Sequence, residues 1–514
     1  MKRRDFLATG ALAAASLPLL GCKPKPWQES EVPKESAPIH VYQDYFYRNF
    51  GVTQEMIDKV LSKALSRGGQ WGELFFEHSR KGELKYSEGL FTSASIDTQL
   101  GMGVRCVADE LVGYAFTESL TLEDMLRAAE AAAAIAPGVE IGKINSRIWP
   151  DFKRFYDVDY NWDNLDILNA KEFMKMVESR VRAKDTSIEN VSVKLRWHQR
   201  TIMINTSDGI NAEDSQPYYG MAIFFDYKHG DEVLKGSTAI CGLDTFESVT
   251  KADLDRLIDD ALKDLWVSSQ KKIRPKGGEW PMIVRGGVLI HETIGHPLEA
   301  DFNRKNQSIM ASKMNQKIAA DEVNIYDSGQ IENNNGAINF DDEGTPSQKT
   351  VLVENGVLKS YLHDKISARH YGVTSTGSGR RASYRNWPIP RMRSICLENG
   401  THEVDELIHS VKYGVFVRSM PWAKCDYSTG NYLMNVESGY LIEDGKLTAP
   451  IGSFTIIASI LESMKKIMIA NDLKNDQMKY SHSYIDACGK DGQVVNASCK
   501  APTVLVSSVS VVGE

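Results

Sequence analysis

The sequence predicts an α+β fold, with a mixed N-terminal domain built on an antiparallel sheet and a mainly β C-terminal domain. Three observations carry this. Strand-like stretches of alternating apolar residues recur between 72 and 116 and again between 190 and 242. Helical stretches of 3.6-residue period lie around them, as expected for helices that cover one side of a sheet. Finally, Ser268 to Gly278, with Lys271-Lys272, Arg274, Pro275 and two glycines, interrupts the pattern, and helical periods become scarce after 280. The expected domains are therefore 41–270 and 280–514.

The N-terminus reads as a targeting signal over residues 1–22. Lys2-Arg3-Arg4 precedes Asp5-Phe6-Leu7, an apolar run from Ala8 to Leu20, and Gly21-Cys22. That run of about 13 residues is too short to cross a bilayer core of about 30 Å as a helix. The paired arginines followed by Phe-Leu predict twin-arginine export, and Leu19-Leu20-Gly21-Cys22 predicts a lipoprotein cleavage box. The expected location is the periplasm or cell envelope, with the membrane reached only through a lipid on Cys22. Residues 23–40, rich in Pro, Lys, Glu and Ser, predict a flexible tether.

Composition narrows the function classes. A net charge of −8 with 25% charged residues gives no nucleic-acid footprint, and none is expected as a partner. The six cysteines beyond Cys22 are too sparse for a disulfide-built scaffold.

Taken in order, the chain predicts a helix over 54–67. Thr53 is its cap, its apolar stripe is Met56, Ile57, Val60, Leu61, Ala64 and Leu65, and Gly68-Gly69 ends it. Strands 72–80 and 83–89 follow around a Lys81-Gly82 turn, then two more over 101–116 separated by Asp109-Glu110. A helix from Thr121 to Ile135 is stopped by Pro137-Gly138, and 173–181 is amphipathic. Strands return at Val191, Thr201 and Gly220, and a helix runs from Ala252 to Leu265. In the second half only the segment around His291, 405–411 and 460–467 have helical period.

The chemistry concentrates in Ile290-His291-Glu292-Thr293-Ile294-Gly295-His296-Pro297. Imidazole is a good zinc ligand, and a carboxylate beside it can serve as a general base. The spacing, however, is i, i+5. On an ideal α-helix five residues rotate about 140°, which turns the two rings apart. A shared metal therefore requires a π-type turn or a helix end between them, and Gly295 and Pro297 favour such a change. The competing reading is two buried or capping histidines. A third ligand has to come from elsewhere: another histidine, the acidic run Asp341-Asp342-Glu343, or a cysteine.

Five stretches, in this order, resemble the TldD/PmbA family of metalloproteases: His291 to Arg304, Asp341 to Pro346, Val353 to Gly356, Thr376 to Arg381, and Cys488 to Gln493. The paired histidines make the chain similar to the catalytic TldD branch. The resemblance implies a zinc peptidase in which His291, His296 and Cys488 hold the metal and Glu292 is the general base. It also implies short or unfolded peptide substrates and a PmbA/TldE-like paralogue as heteromeric partner. The alternative is a non-catalytic surface lipoprotein that keeps a structural zinc and serves as a scaffold.

Weaker expectations complete the reading. Asp341-Asp342-Glu343 is either a set of groups orienting the metal ligands or a solvated turn. Gly377 to Arg381 lacks the ending of a phosphate loop and predicts a tight turn whose arginines pair with acids or a peptide C-terminus. Trp387 and Met392 predict packing. Export into an oxidising compartment puts Cys488 at risk of a disulfide with Cys499, a risk avoided if the protein folds before it crosses the membrane.

Overall fold

Alternation decides the N-terminal half. The structure, a computed structural model, describes residues 44–135 and 142–512 apart from 158, 160, 271, 421 and 475–486. The expected export signal and tether, and the Pro137-Gly138 stop, lie outside the described residues. Six antiparallel strands, β1 (Trp71–Ser87), β2 (Leu90–Ala108), β3 (Leu111–Thr117), β4 (Ile188–Thr206), β5 (Asn211–His229) and β6 (Glu232–Gly242), form one sheet in the order β3-β2-β1-β4-β5-β6.

Because side chains alternate along a strand, Leu74, Phe76, Leu84 and Tyr86 of β1 all point to one face. Against that face pack four helices, Gln54–Leu65, Leu122–Ile135, Ile167–Lys184 and Lys251–Ser269. The Thr53 side chain accepts the N–H of Met56, the expected cap, and Gly68 takes the left-handed conformation just beyond the helix. The opposite face carries Glu73, Phe75 and Glu77 of β1, and it meets the second half of the chain. There Phe75, Ile202 and Ile204 share a core with Phe340 and Tyr384.

One turn expected from the sequence is absent. β1 runs unbroken through Lys81-Gly82, paired on both sides with β2 and β4. Gly82 serves close packing: a Cβ there would lie 2.0 Å from Cζ2 of Trp197. The Val191 and Thr201 stretches likewise belong to the one long strand β4.

The second half is mainly β, as expected. A nine-stranded sheet contains β7 (Gly278–Arg285) near its centre and the strand Trp422–Asp426 at one edge. A five-stranded sheet lies alongside it, and Ala487–Lys490 and Gln493–Asn496 form a separate hairpin. The short helices Val404–His409 and Ile460–Lys465 fall where helical period was read; Lys365–Tyr371 and Ala300–Arg304 were not foreseen. The chain leaves β7 at Gly286 and enters the His291 segment directly, so the central sheet fixes where that segment starts.

Candidate metal centre

The i, i+5 spacing is resolved by a change of helix type. Gly287–Ile290 is α-helical, His291–Gly295 forms a π turn, and His296–Leu298 is a 3₁₀ turn. The backbone N–H of His296 donates to the carbonyl of His291, so the two histidines are themselves the ends of an i, i+5 hydrogen bond. The wider turn returns both rings to one side, with centroids 5.0 Å apart and planes at 81°. Pro297 sits in the 3₁₀ turn, where its missing N–H costs nothing. Gly295 has ordinary right-handed torsions, so conformational freedom does not explain it. Its reason is contact: a Cβ there would lie 1.9 Å from Sδ of Met392. Met392, fully buried, is packing as expected.

Cys488 completes the group. It lies on the Ala487–Lys490 strand, and its Sγ is 3.2 Å from Nε2 of His296. One ligand atom from each of His291, His296 and Cys488 falls within 4.8 Å of the others. Cys488 carries a free thiol, and Cys499 instead places its Sγ 2.8 Å from the carbonyl oxygen of Gly287. Two imidazoles and a thiolate are donors that zinc prefers, and three protein ligands leave a position open. These residues fit such an ion.

A charged frame surrounds these three residues. Nδ1 of His296 lies 2.9 Å from Oε2 of Glu299. Nζ of Lys490 is 3.1 Å from that same oxygen and 2.6 Å from Asp301. Arg391 donates to the carbonyls of Cys488 and Gln493 and so grips the hairpin. Burial opposes ionisation of Cys488, yet hydrogen bonds from His291 and His296 hold the thiol down at about 5. Burial also disfavours a charged His296, but the Glu299 carboxylate, helped by Cys488, raises it to about 10. Burial would keep Glu299 neutral; Lys490 and His296 hold it down at about 2.

Glu292 stands beside the group, with Oε1 4.0 Å from Nε2 of His291. Burial pushes its pKa above the ordinary carboxylate value, against the pull of the two histidines. A carboxylate raised in this way is better matched to taking and returning a proton near neutrality. The Tyr427 ring covers His296 at 5.6 Å and Phe302 at 5.2 Å, which closes that side of the site.

The acidic run Asp341-Asp342-Glu343 does neither of the things expected of it. All three are buried; Asp342 and Glu343 hold the two halves together, and Asp341 shapes the turn that carries them. Arg105 of β2 donates to both Glu73 (2.7 Å) and Glu343 (2.6 Å). Arg200 of β4 donates to Asp342 at 3.1 Å. Asp341 accepts from the backbone of Glu343, Thr345 and Gly379. Arg381 pairs with Glu73, as an arginine meeting an acid, while Arg380 donates to the carbonyls of Met392 and Asn496. Glu299, Lys490 and Tyr427 were not singled out in the sequence. Two signals were available: Glu299 stands one helical step from His296, and Lys490 shares a strand face with Cys488.

Comparison with known proteins identifies the family. Three family models match in order: PmbA/TldA metallopeptidase domain 1 at residues 72–136, the central domain at 160–263, and the C-terminal domain at 284–513. A metalloprotease TldD homolog of Haemophilus influenzae is 31% identical over 463 residues, covering 87% of this chain and 94% of that one. A zinc metalloprotease TldD homolog of Saccharolobus solfataricus is 28% identical over 51% of this chain and 57% of its own. In fold, TldE from Thermococcus kodakarensis is similar at a TM-score of 0.68 and 18% identity, over 89% of this chain and all of that one. The chain belongs to the TldD/PmbA family of metallopeptidases.

Proposed function

We propose that this protein is a zinc peptidase that hydrolyses short or unfolded peptides. The observation that carries the reading is the convergence of His291, His296 and Cys488 beside Glu292. Zinc, when bound, supplies a positive charge that polarises a peptide carbonyl and acidifies water. Glu292 takes the proton of the attacking water and returns it to the amine as the C–N bond breaks. Glu299 and Lys490 hold His296 in orientation, and Tyr427 keeps solvent from that ring.

The strand Trp422–Asp426, a sheet edge among the described residues, runs against the π turn, and its outer main chain offers an extended peptide a line of hydrogen bonds. Pairing of this kind reads no side chains and suits unfolded substrates. A PmbA/TldE-like paralogue is the proposed partner, in keeping with the family and the shared fold. We also retain export and lipidation at Cys22 as part of the proposal, motivated by Arg3-Arg4 and Leu19 to Cys22. Failure of labelled palmitate to enter the chain in its host would remove the lipid anchor.

The test of the peptidase reading is Glu292→Gln. Zinc content by elemental analysis should stay at the wild-type level while turnover of a peptide library falls by a factor on the order of 10²–10⁴. Unchanged turnover would defeat the mechanism. A structural zinc in a non-catalytic scaffold predicts no turnover from the wild type, with or without the paralogue.

A further inference from the structure

A cavity of about 500 Å³ lies between the N-terminal sheet and the back of the hairpin that bears Cys488. Its floor is the sheet face opposite the four helices. Cross-strand pairing sets Asp97, Lys81, His198 and Tyr218 in one row across β2, β1, β4 and β5. Across from them stand Arg380, Arg381 and the hairpin residues Ala487 and Asn496. Cys488 and Lys490 point away from the cavity to the metal centre, because neighbouring strand residues face opposite ways.

The inner end of this cavity is rich in unused hydrogen-bonding capacity. Arg200 and Arg381 are more than nine-tenths buried, and both line the cavity. Among the described residues, Nε and Nη2 of Arg200, Nε and Nη1 of Arg381 and Nε2 of His198 are buried without a hydrogen-bond partner, with the Glu77 carboxylate 3.7 Å from Nε of Arg200. Arg380, also buried, donates only to two main-chain carbonyls among the described contacts. Arg200 is paired with Asp342 and Arg381 with Glu73, and the N–H groups each has left over beside a space of this size can take a further acceptor. The planar fork of arginine matches a carboxylate in particular.

The outer end has the opposite character. Asp97 is exposed on β2, three strands from Tyr218, a span of roughly 14 Å at the usual strand separation. An extended chain of about four residues covers that distance at about 3.4 Å each. We infer that the cavity is a second binding site, which takes a short peptide with its C-terminal carboxylate on Arg380, Arg200, Arg381 and His198. Inorganic phosphate would satisfy the arginines equally but would leave the long floor toward Asp97 without a role. That the ligand is a peptide rests on the peptidase reading; that the cavity takes a carboxylate does not. An occupant would lie against the back of the strand whose front supplies Cys488.

The experiment is calorimetric titration of the full-length, zinc-loaded Glu292→Gln protein, which does not consume the probe. The probes are acetyl-Ala-Ala-Phe with a free carboxylate, the same peptide as its C-terminal amide, and inorganic phosphate. The acid should bind about tenfold or more tightly than the amide, because one charge-assisted pair is at stake. His198→Phe and Arg380→Gln should each weaken the acid by about tenfold, with zinc content unchanged. His291→Ala, which removes a metal ligand, should leave the affinity within about twofold. If Arg380→Gln fails to fold, His198→Phe decides the matter. Equal binding of acid and amide, unaltered affinity in His198→Phe, loss of binding in His291→Ala, or tighter binding of phosphate would each overturn the assignment. Wild-type turnover of the same peptide, measured separately, reports on the peptidase reading and not on this site.

Discussion

Oε2 of Glu299 is shared between Nδ1 of His296, at 2.9 Å, and Nζ of Lys490, at 3.1 Å. The carboxylate thus fixes which ring nitrogen of His296 faces Cys488, and a lysine two residues beyond Cys488 fixes the carboxylate. Glu299→Gln should weaken zinc affinity about 10–100-fold while the fold persists. Competition with a chromophoric chelator measures it, and wild-type affinity would show that this frame does not orient the ligand.

Cys488→Ser removes the only sulfur of the ligand set. Zinc retention through gel filtration should fall below that of the wild type, with circular dichroism unchanged. Equal zinc in both proteins would take Cys488 out of the centre.

The zinc affinity of the apoprotein should depend on pH in a defined direction. His296 is raised to about 10 by Glu299, so at neutral pH a proton occupies the group that zinc needs, whereas Cys488, held at about 5, is already a thiolate. Zinc must then displace about one proton from His296 between pH 6 and 9, and affinity should rise about tenfold per pH unit there. Below about pH 5 the thiol also regains its proton, and the slope should steepen. Calorimetry in buffers of different ionisation enthalpy counts the protons released. A pH-independent affinity from 6 to 9 would refute the assignment.

Gly295→Ala places a methyl group where Sδ of Met392 now sits. The backbone torsions accept alanine, so the cost is overpacking, about 1–3 kcal/mol in chemical denaturation. Met392→Ala in the same protein should return part of that loss. Absence of coupling between the two would show that the contact does not set the turn.

Part of the candidate metal site could be read in advance, where the reasons are local. A metal shared at i, i+5 spacing required a non-α turn or a helix end, and the turn is a π turn with a hydrogen bond between the two histidines themselves. Cys488 could not be found by spacing, because 192 residues separate it from His296; only resemblance pointed to it. Gly82 was read as a turn because glycine permits turns, whereas here it makes room for the Trp197 ring from the neighbouring strand. Asp341, Asp342 and Glu343 were read as polar and either solvated or near the metal. The partners of Glu343 and Asp342, Arg105 and Arg200, come from strands more than a hundred residues earlier, a distance at which sequence pattern is silent.

That arginine–carboxylate seam has a consequence for how the molecule comes apart. Glu73, Arg105 and Arg200 from the first half and Asp342, Glu343 and Arg381 from the second are all buried in the folded protein. Removing one member of a buried pair leaves its partner's charge uncompensated, at about 3–5 kcal/mol. Arg105→Met should therefore lower the stability of both halves together, as one calorimetric transition moved to lower temperature; two separated transitions would show that the halves melt independently. A protease cut between 268 and 278 should leave two fragments that travel as one particle until acid or denaturant loosens the seam. The halves should then unfold as a single cooperative body, with the candidate metal centre held in place by charges that do not touch it.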